Sequence, residues 1–296
     1  MEDAAPHVLL YFDVNKTLIM HDPVQGKALH HILNDLLTER AYGRVIQAED
    51  GVTQWLWDRQ EALKERFPLS SDQKIAKQHK YMRKHLQERE VKFNLIFRTF
   101  GNDLHRVAQE FNCFCEGRHP CFPLATAMDG SGGGIDRRIH LHTMNEGESP
   151  RFGTFMRTEG TTALIMGTFE QPKAADDADP LAFYASSTLA LRDFYPYWFQ
   201  NSEIATAGKL LTLDPTDEGE HVHAMFFDDN ILPHDAHIVD ARFVDSDTAV
   251  PFEDTQELHL LRVEPLDVIQ SKAYLVSRFE ASLELWREKK DSNCAK

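Results

Sequence analysis

His7-Val-Leu-Leu-Tyr-Phe-Asp13-Val-Asn15-Lys-Thr17 is the stretch that decides the fold. Val8 to Phe12 form an apolar, β-rich run of the length of a buried strand, and the run stops at an acid. Asp13 is therefore placed where the strand leaves its sheet, the edge at which open α/β sheets bind ligands. Asn15 and Thr17 follow at alternate positions. Taken alone, Asp-x-Asn-x-Thr also suits a simple turn with an Asn in the left-handed region.

Two later segments repeat the arrangement. Phe93 to Phe97 is apolar and runs into Arg98-Thr99-Phe100-Gly101, and His221 to Phe227 runs into Asp228-Asp229-Asn230. Helical periodicity returns over Asp103 to Phe111, which makes the second segment a strand–turn–helix unit. Asp229 and Asn230 also suit the turn needed by the short link to a further strand at His237 to Val244. Each element alone is weak; together they place Asp13, Thr99, Asp228 and Asp229 at strand ends.

In this order the segments resemble motifs I, II and IV of the haloacid dehalogenase-like (HAD) superfamily, whose first motif usually reads Asp-x-Asp-x-Thr. The resemblance covers a few tens of residues spread along the chain. It implies an α/β fold with a Rossmann-like, mostly parallel sheet. It also implies that Asp13 is a nucleophile forming an aspartyl-phosphate, and that Thr99 donates to a phosphate oxygen. Lys209, 19 positions before Asp228, is the candidate for the motif III lysine, with Lys173 as the alternative. The implied cofactor is Mg²⁺, held by Asp13, the main-chain oxygen of Asn15, and Asp228 with or without Asp229.

The chemistry explains those residue types. Carboxylates converging on one small volume repel and hold protons. A hard cation relieves the conflict, and Mg²⁺ prefers oxygen ligands. A lysine neutralises the nucleophile and the developing phosphoryl charge.

This chain departs from the pattern at Asn15, where the family has the acid that protonates the leaving group. General acid–base catalysis is worth about 10² to 10⁴ in rate. Leaving groups that depart without a proton can still react, whereas alkyl phosphates need a substitute donor. His21 and the lysines of the segment after β-strand one are candidates between which the sequence does not choose.

The chain has 296 residues, 42% of them apolar, enough for one large core with insertions. Core segments are expected at residues 1–20, 91–112 and 181–296, with a helical cap at 21–90 and a β-rich insertion at 113–180. Within the cap, Asp22-Pro23 opens a helix with apolar spacing through Leu37, and Thr53 to Arg66 and Ser71 to Glu90 are also expected to be helical. Within the insertion, Phe152 to Arg157 and Thr162 to Thr168 are expected to pair as a hairpin, and Arg138 to Met144 to be a strand. Leu181 to Trp198 is expected to be a helix ending near Pro196, and one long helix is expected from about Asp267 to Lys289.

A net charge of −15 and a pI near 5.4 argue against a general nucleic-acid or membrane-surface role, since phosphate backbones recruit Lys and Arg. A small phosphorylated substrate or ligand, or a protein partner, fits better. No run approaches the roughly 20 apolar residues of a bilayer span, and the start lacks the layout of a signal peptide. Four cysteines suit a reducing compartment, so a cytoplasmic location is expected. Cys113-x-Cys115-x₃-His119-x-Cys121 is spaced too tightly for an ordinary zinc knuckle and reads as partly buried thiols. Gly130-Ser-Gly-Gly-Gly134 lacks the Lys-Ser/Thr of a phosphate loop.

Three functions remain. The leading one is Mg²⁺-dependent hydrolysis of a small phosphorylated metabolite, and the alternative is a catalytically silent HAD-like domain that binds a phosphorylated ligand or a protein. A receiver-like phosphoacceptor also uses an Asp, a Thr and a Lys, but needs far less chain.

Overall fold

The computed structural model describes residues 7–18, 92–101, 103–119, 127–139, 188–214, 222–246, 248–271 and 273–294. It also describes the backbone of 43–47, 53–57, 153–156 and 162–165. The core is a five-stranded sheet of β1 (His7–Asp13), β4 (Phe93–Thr99), β7 (Leu189–Arg192), β9 (Val222–Asp228) and β11 (Leu260–Arg262), in the order β11-β9-β1-β4-β7. All four pairings are parallel. With helices between the strands, this is an α/β fold.

The central strands are dominated by apolar residues, with Asn94 and His223 as buried polar exceptions, because parallel strands are covered on both faces. Val8 to Tyr11 and Met225 to Phe227 are wholly buried. The register sets Tyr11 beside Phe226 and Phe12 beside Phe227, and each pair stacks, with centroids 5.6 and 4.8 Å apart. From β1 the chain moves outward through β4 to β7, then returns to β9 and β11 on the other side. The direction of winding therefore reverses at β1, the position at which such sheets form a crevice outside their carboxyl ends.

Beside this sheet lies a parallel pair, β8 (Lys209–Leu213) and β10 (Val239–Phe243). Gly208 lets the two strands meet. A Cβ there would stand 2.0 Å from the carbonyl oxygen of Ile238, which accepts from the Lys209 amide at 2.6 Å.

Helix α1 (Leu104–Cys115) follows β4 and continues past residue 113 into the segment assigned to the β-rich insertion. Cys113 and Cys115 lie on it, His119 bonds to Glu110, and Cys121 lies outside the described residues. The glycines at 132–134 occupy an exposed turn between the bridged Asp129 and Asp136. Strands β5 (Gly153–Met156) and β6 (Thr162–Ile165) pair antiparallel, as the hairpin reading expected.

Three expectations are corrected. Thr53 to Arg66 does not begin as a helix: β3 (Thr53–Trp57) pairs antiparallel with β2 (Gly43–Gln47), setting Val45 opposite Trp55. Thr53, Trp55 and Trp57 are strand-forming residues at period 2, and a partner strand decides such ambiguous runs. The helices expected at 22–37 and 71–90 lie outside the described residues, as do residues 140–144. Leu181 to Trp198 is not one helix, because Leu189–Leu191 are buried as β7 against β4. Pro196 starts rather than stops the next helix, α2 (Tyr195–Gln200), where its missing N–H costs nothing. The C-terminal helix is two: after α3 (Phe252–Thr255) come α4 (Pro265–Gln270) and α5 (Tyr274–Cys294), separated where Ser271 is extended. Among the described residues no helix is long and apolar enough to cross a membrane.

Helix α5 is joined to β9 through buried neutral imidazoles. Ser282 donates its hydroxyl to the carbonyl of Leu258 at 2.6 Å, so it accepts from His223 Nε2 at 3.0 Å. His259 Nδ1 donates to the carbonyl of Ala224 at 2.7 Å. Burial, and then His259, hold His223 well below the ordinary imidazole range. Burial lowers His259 to about 4, against the opposing pull of the Ala224 carbonyl. Both rings stay neutral when folded but titrate near 6.5 when unfolded, so this stabilisation is complete above that pH and drains as pH falls towards 4. His259→Asn, which keeps a donor for Ala224, is expected to lose about 2 kcal/mol less stability than the wild type between pH 7.5 and 5, by urea denaturation. Gly208→Ala is expected to cost at least about 2 kcal/mol in the same assay at pH 7.5, because the clash is with backbone.

Candidate active site

The three expected strand ends meet. Asp13 closes β1, Thr99 closes β4 and Asp228 closes β9, and these strands are neighbours around the point where the winding reverses. Asp13, Asp228 and Asp229 present carboxylate oxygens all within 4.8 Å of one another, the one such group of potential metal ligands among the described residues. Lys209 enters from β8. Its Nζ donates to Asp13 Oδ1 at 2.5 Å and to Asp228 Oδ2 at 2.7 Å, although 196 positions separate it from Asp13. Lys173 lies outside the described residues.

The loops after the strands are cross-braced. The Asp229 amide donates to Thr17 Oγ1 at 3.2 Å, and Asn230 Nδ2 donates to Asp228 Oδ1 and Asp229 Oδ1 at 3.3 and 3.1 Å. The Asn230 amide adds a 2.8 Å bond to Asp228 Oδ1. The Asp229-Asn230 turn and the carboxylate cluster are thus the same structure. The positive φ of the first loop falls at Lys16 (61°), not at Asn15.

The cluster is electrostatically overloaded. Burial pushes the Asp13 carboxyl well above its usual range; the Lys209 ammonium opposes this, and Asp228 and Asp229 add to it. Burial, then Asp228, raise Asp229 to about 7. Burial disfavours the charge on Lys209, yet Asp13 and Asp228 outweigh it and hold the ammonium above its ordinary pKa. One ammonium therefore serves several carboxylates in a largely buried site, and the oxygen-only donor set suits a hard divalent cation.

Thr99 is wholly buried, and its Oγ1 accepts from the Gly101 amide at 2.8 Å and from Asn15 Nδ2 at 3.2 Å. Asn15 Nδ2 also donates to Asp103 Oδ2 at 3.2 Å. Asp103 occupies the N-cap of α1 without capping it; the carboxylate turns to Asn15 instead. Gly101 leaves room for this gathering, since a Cβ there would stand 2.5 Å from Asp103 Oδ2 and 3.2 Å from both Asn15 Nδ2 and Thr99 Oγ1.

Sequence reasoning assigned no role to Asp103, Arg98 or Asp193. Arg98, buried beneath the site, forms a two-pronged pair with Asp193, Nε to Oδ2 at 3.0 Å and Nη2 to Oδ1 at 2.5 Å. Its Nη1 donates to the Leu210 carbonyl on β8 at 2.9 Å. An arginine at the end of an apolar strand is the signal that could have drawn attention to it; Asp103 was masked by its suitability as a helix cap.

No protein-family model, curated protein or solved structure matches the chain. The functional reading therefore stands on the motif residues and their geometry.

Lys209→Met is expected to cost about 3–5 kcal/mol by urea denaturation, because it strands Asp13 and Asp228 as unpaired buried charges. Adding Asp228→Asn is expected to recover part of that loss, a coupling that a double-mutant cycle measures.

Proposed function

We propose that the protein is a HAD-like, Mg²⁺-dependent phosphohydrolase acting on a small phosphorylated metabolite. The observation that carries this reading is the convergence of Asp13, Asp228 and Asp229 on the Lys209 ammonium at the carboxyl edge of a parallel sheet, with Thr99 on the adjacent strand. Asp13 attacks phosphorus and becomes the aspartyl-phosphate. Lys209 neutralises the attacking carboxylate and the charge that develops on the phosphoryl oxygens. The Thr99 hydroxyl already accepts two hydrogen bonds, which leaves its own proton to donate to a phosphate oxygen.

Asp13, Asp228 and Asp229 would hold Mg²⁺, with Asn15 contributing its main-chain oxygen because its amide is committed to Thr99 and Asp103. The chemistry the cation supplies is charge neutralisation around the phosphoryl group. Raised carboxyls make its binding proton-coupled, since ligating carboxylates must be ionised.

One observation favours a second reading, a catalytically silent domain that binds a phosphorylated ligand or a protein. The position two after the nucleophile, which should supply a proton, is an amide already holding two acceptors. An activated aryl phosphate separates the two, because its leaving group departs without a proton. With p-nitrophenyl phosphate and Mg²⁺, release of p-nitrophenol is expected, and Asp13→Asn is expected to reduce it on the order of 10⁴-fold or more. Absence of release while Mg²⁺ still raises the melting temperature selects the silent domain.

A further inference from the structure

We propose that the leaving-group side of this site is built for a phosphoramidate, a P–N bond whose nitrogen brings its own proton, rather than for an alkyl phosphate. The proposal rests on the phosphohydrolase reading above and specifies its substrate class.

Asn15 is the starting point. An amide transfers no proton at neutral pH, so whatever departs past it must leave already protonated or as a stable anion. Its orientation is set by its neighbours: both hydrogen bonds from Nδ2 go to acceptors, Thr99 Oγ1 and Asp103 Oδ2. The amide cannot be turned round without facing its oxygen to the Asp103 carboxylate. That leaves Asn15 Oδ1, which is buried and has no hydrogen-bond partner among the described residues. A buried acceptor without a donor costs about 1–3 kcal/mol, and a ligand N–H removes that cost.

The surroundings favour the same ligand. Asp103 is 4% exposed and turns its carboxylate to the amide instead of capping α1, which adds a negative charge beside an acceptor. Gly101 packs close against this group, since a Cβ there would stand 2.5 Å from Asp103 Oδ2 and 3.2 Å from Asn15 Nδ2 and Thr99 Oγ1. An ammonium-type nitrogen is matched by the Asn15 Oδ1 acceptor and the Asp103 carboxylate beside it; an alkoxide developing negative charge is not.

The chemistry balances without a general acid. Phosphoramidate at neutral pH carries its nitrogen as –NH₃⁺ on a dianionic phosphoryl group. Asp13 Oδ forms a bond to phosphorus, the P–N bond breaks, and its electron pair stays on nitrogen, which leaves as neutral ammonia. Water then attacks the phosphorus of the aspartyl-phosphate. The P–O bond to Asp13 breaks with its electrons returning to the carboxylate, and both water protons leave on the product, dihydrogen phosphate.

The test compares p-nitrophenyl phosphate, phosphoramidate and methyl phosphate on the full chain with Mg²⁺, each corrected for its rate without protein. Phosphoramidate is expected to exceed methyl phosphate in kcat/KM by at least about 10²-fold, with Asp13→Asn inactive on both. Asn15→Asp is expected to speed methyl phosphate hydrolysis and to narrow that ratio by about 10-fold or more. Asp103→Asn is expected to lower the phosphoramidate rate relative to the aryl phosphate. A ratio of two substrates on one preparation does not depend on the fraction folded. Hydrolysis of the aryl phosphate with phosphoramidate no better than methyl phosphate, or a ratio unmoved in Asn15→Asp, overturns the substrate assignment and leaves the phosphohydrolase reading standing. Inactivity on all three overturns both.

Discussion

The Lys209 ammonium between Asp13 and Asp228 is the contact on which the arrangement depends. Without it, the ends of β1 and β9 would carry like charges in a dry crevice, and the two central strands of the sheet would repel at the edge where they must lie side by side. Lys209 also belongs to a different sheet, so the same bond fastens the β8–β10 pair to the five-stranded core. Its ammonium lies 5.1 Å from the Phe100 ring centre and 5.8 Å from that of Phe226, which surrounds the charge with quadrupoles that favour a cation.

A second buried cation works one step below. Arg98 neutralises Asp193, reaches the Leu210 carbonyl on β8, and lies over the rings of Tyr11 and Phe226. Two cations from opposite partners, one on β4 and one on β8, thus hold the accessory strands against the sheet. Each is fully desolvated, and each is compensated by a carboxylate and by aromatic faces. Removing one charge from such a set leaves its partners buried and unsatisfied, which costs more than the contact itself contributes.

The same economy of partners shapes the loop after β1. Asn15 is a connector: its amide joins the end of β4 to the start of α1, and in doing so leaves its own oxygen as a buried acceptor. The carboxylates of Asp13, Asp228 and Asp229 crowd one side of the site, while Asn15 and Asp103 gather acceptors on another.

The amino-acid sequence by itself determined the central strands and their terminal residues. Val8–Phe12 is an unbroken apolar run, and Phe93–Phe97 and Val222–Phe227 are apolar apart from Asn94 and His223; such composition, and the acid or hydroxyl that ends each run, are local properties of the chain. Where period or length was ambiguous, at Thr53–Trp57 and Leu189–Arg192, only a neighbouring strand decided between helix and sheet. The site divides the same way. Asp13, Thr99, Asp228 and Asp229 announce themselves by position on a strand, but the seating of Lys209, the pairing of Arg98 with Asp193, and the turn of Asp103 away from its helix depend on strand order and on groups up to 196 positions distant. Spacing along a chain carries no information about such approaches; the tertiary structure decided them because only packing brings those charges into a common, largely buried volume.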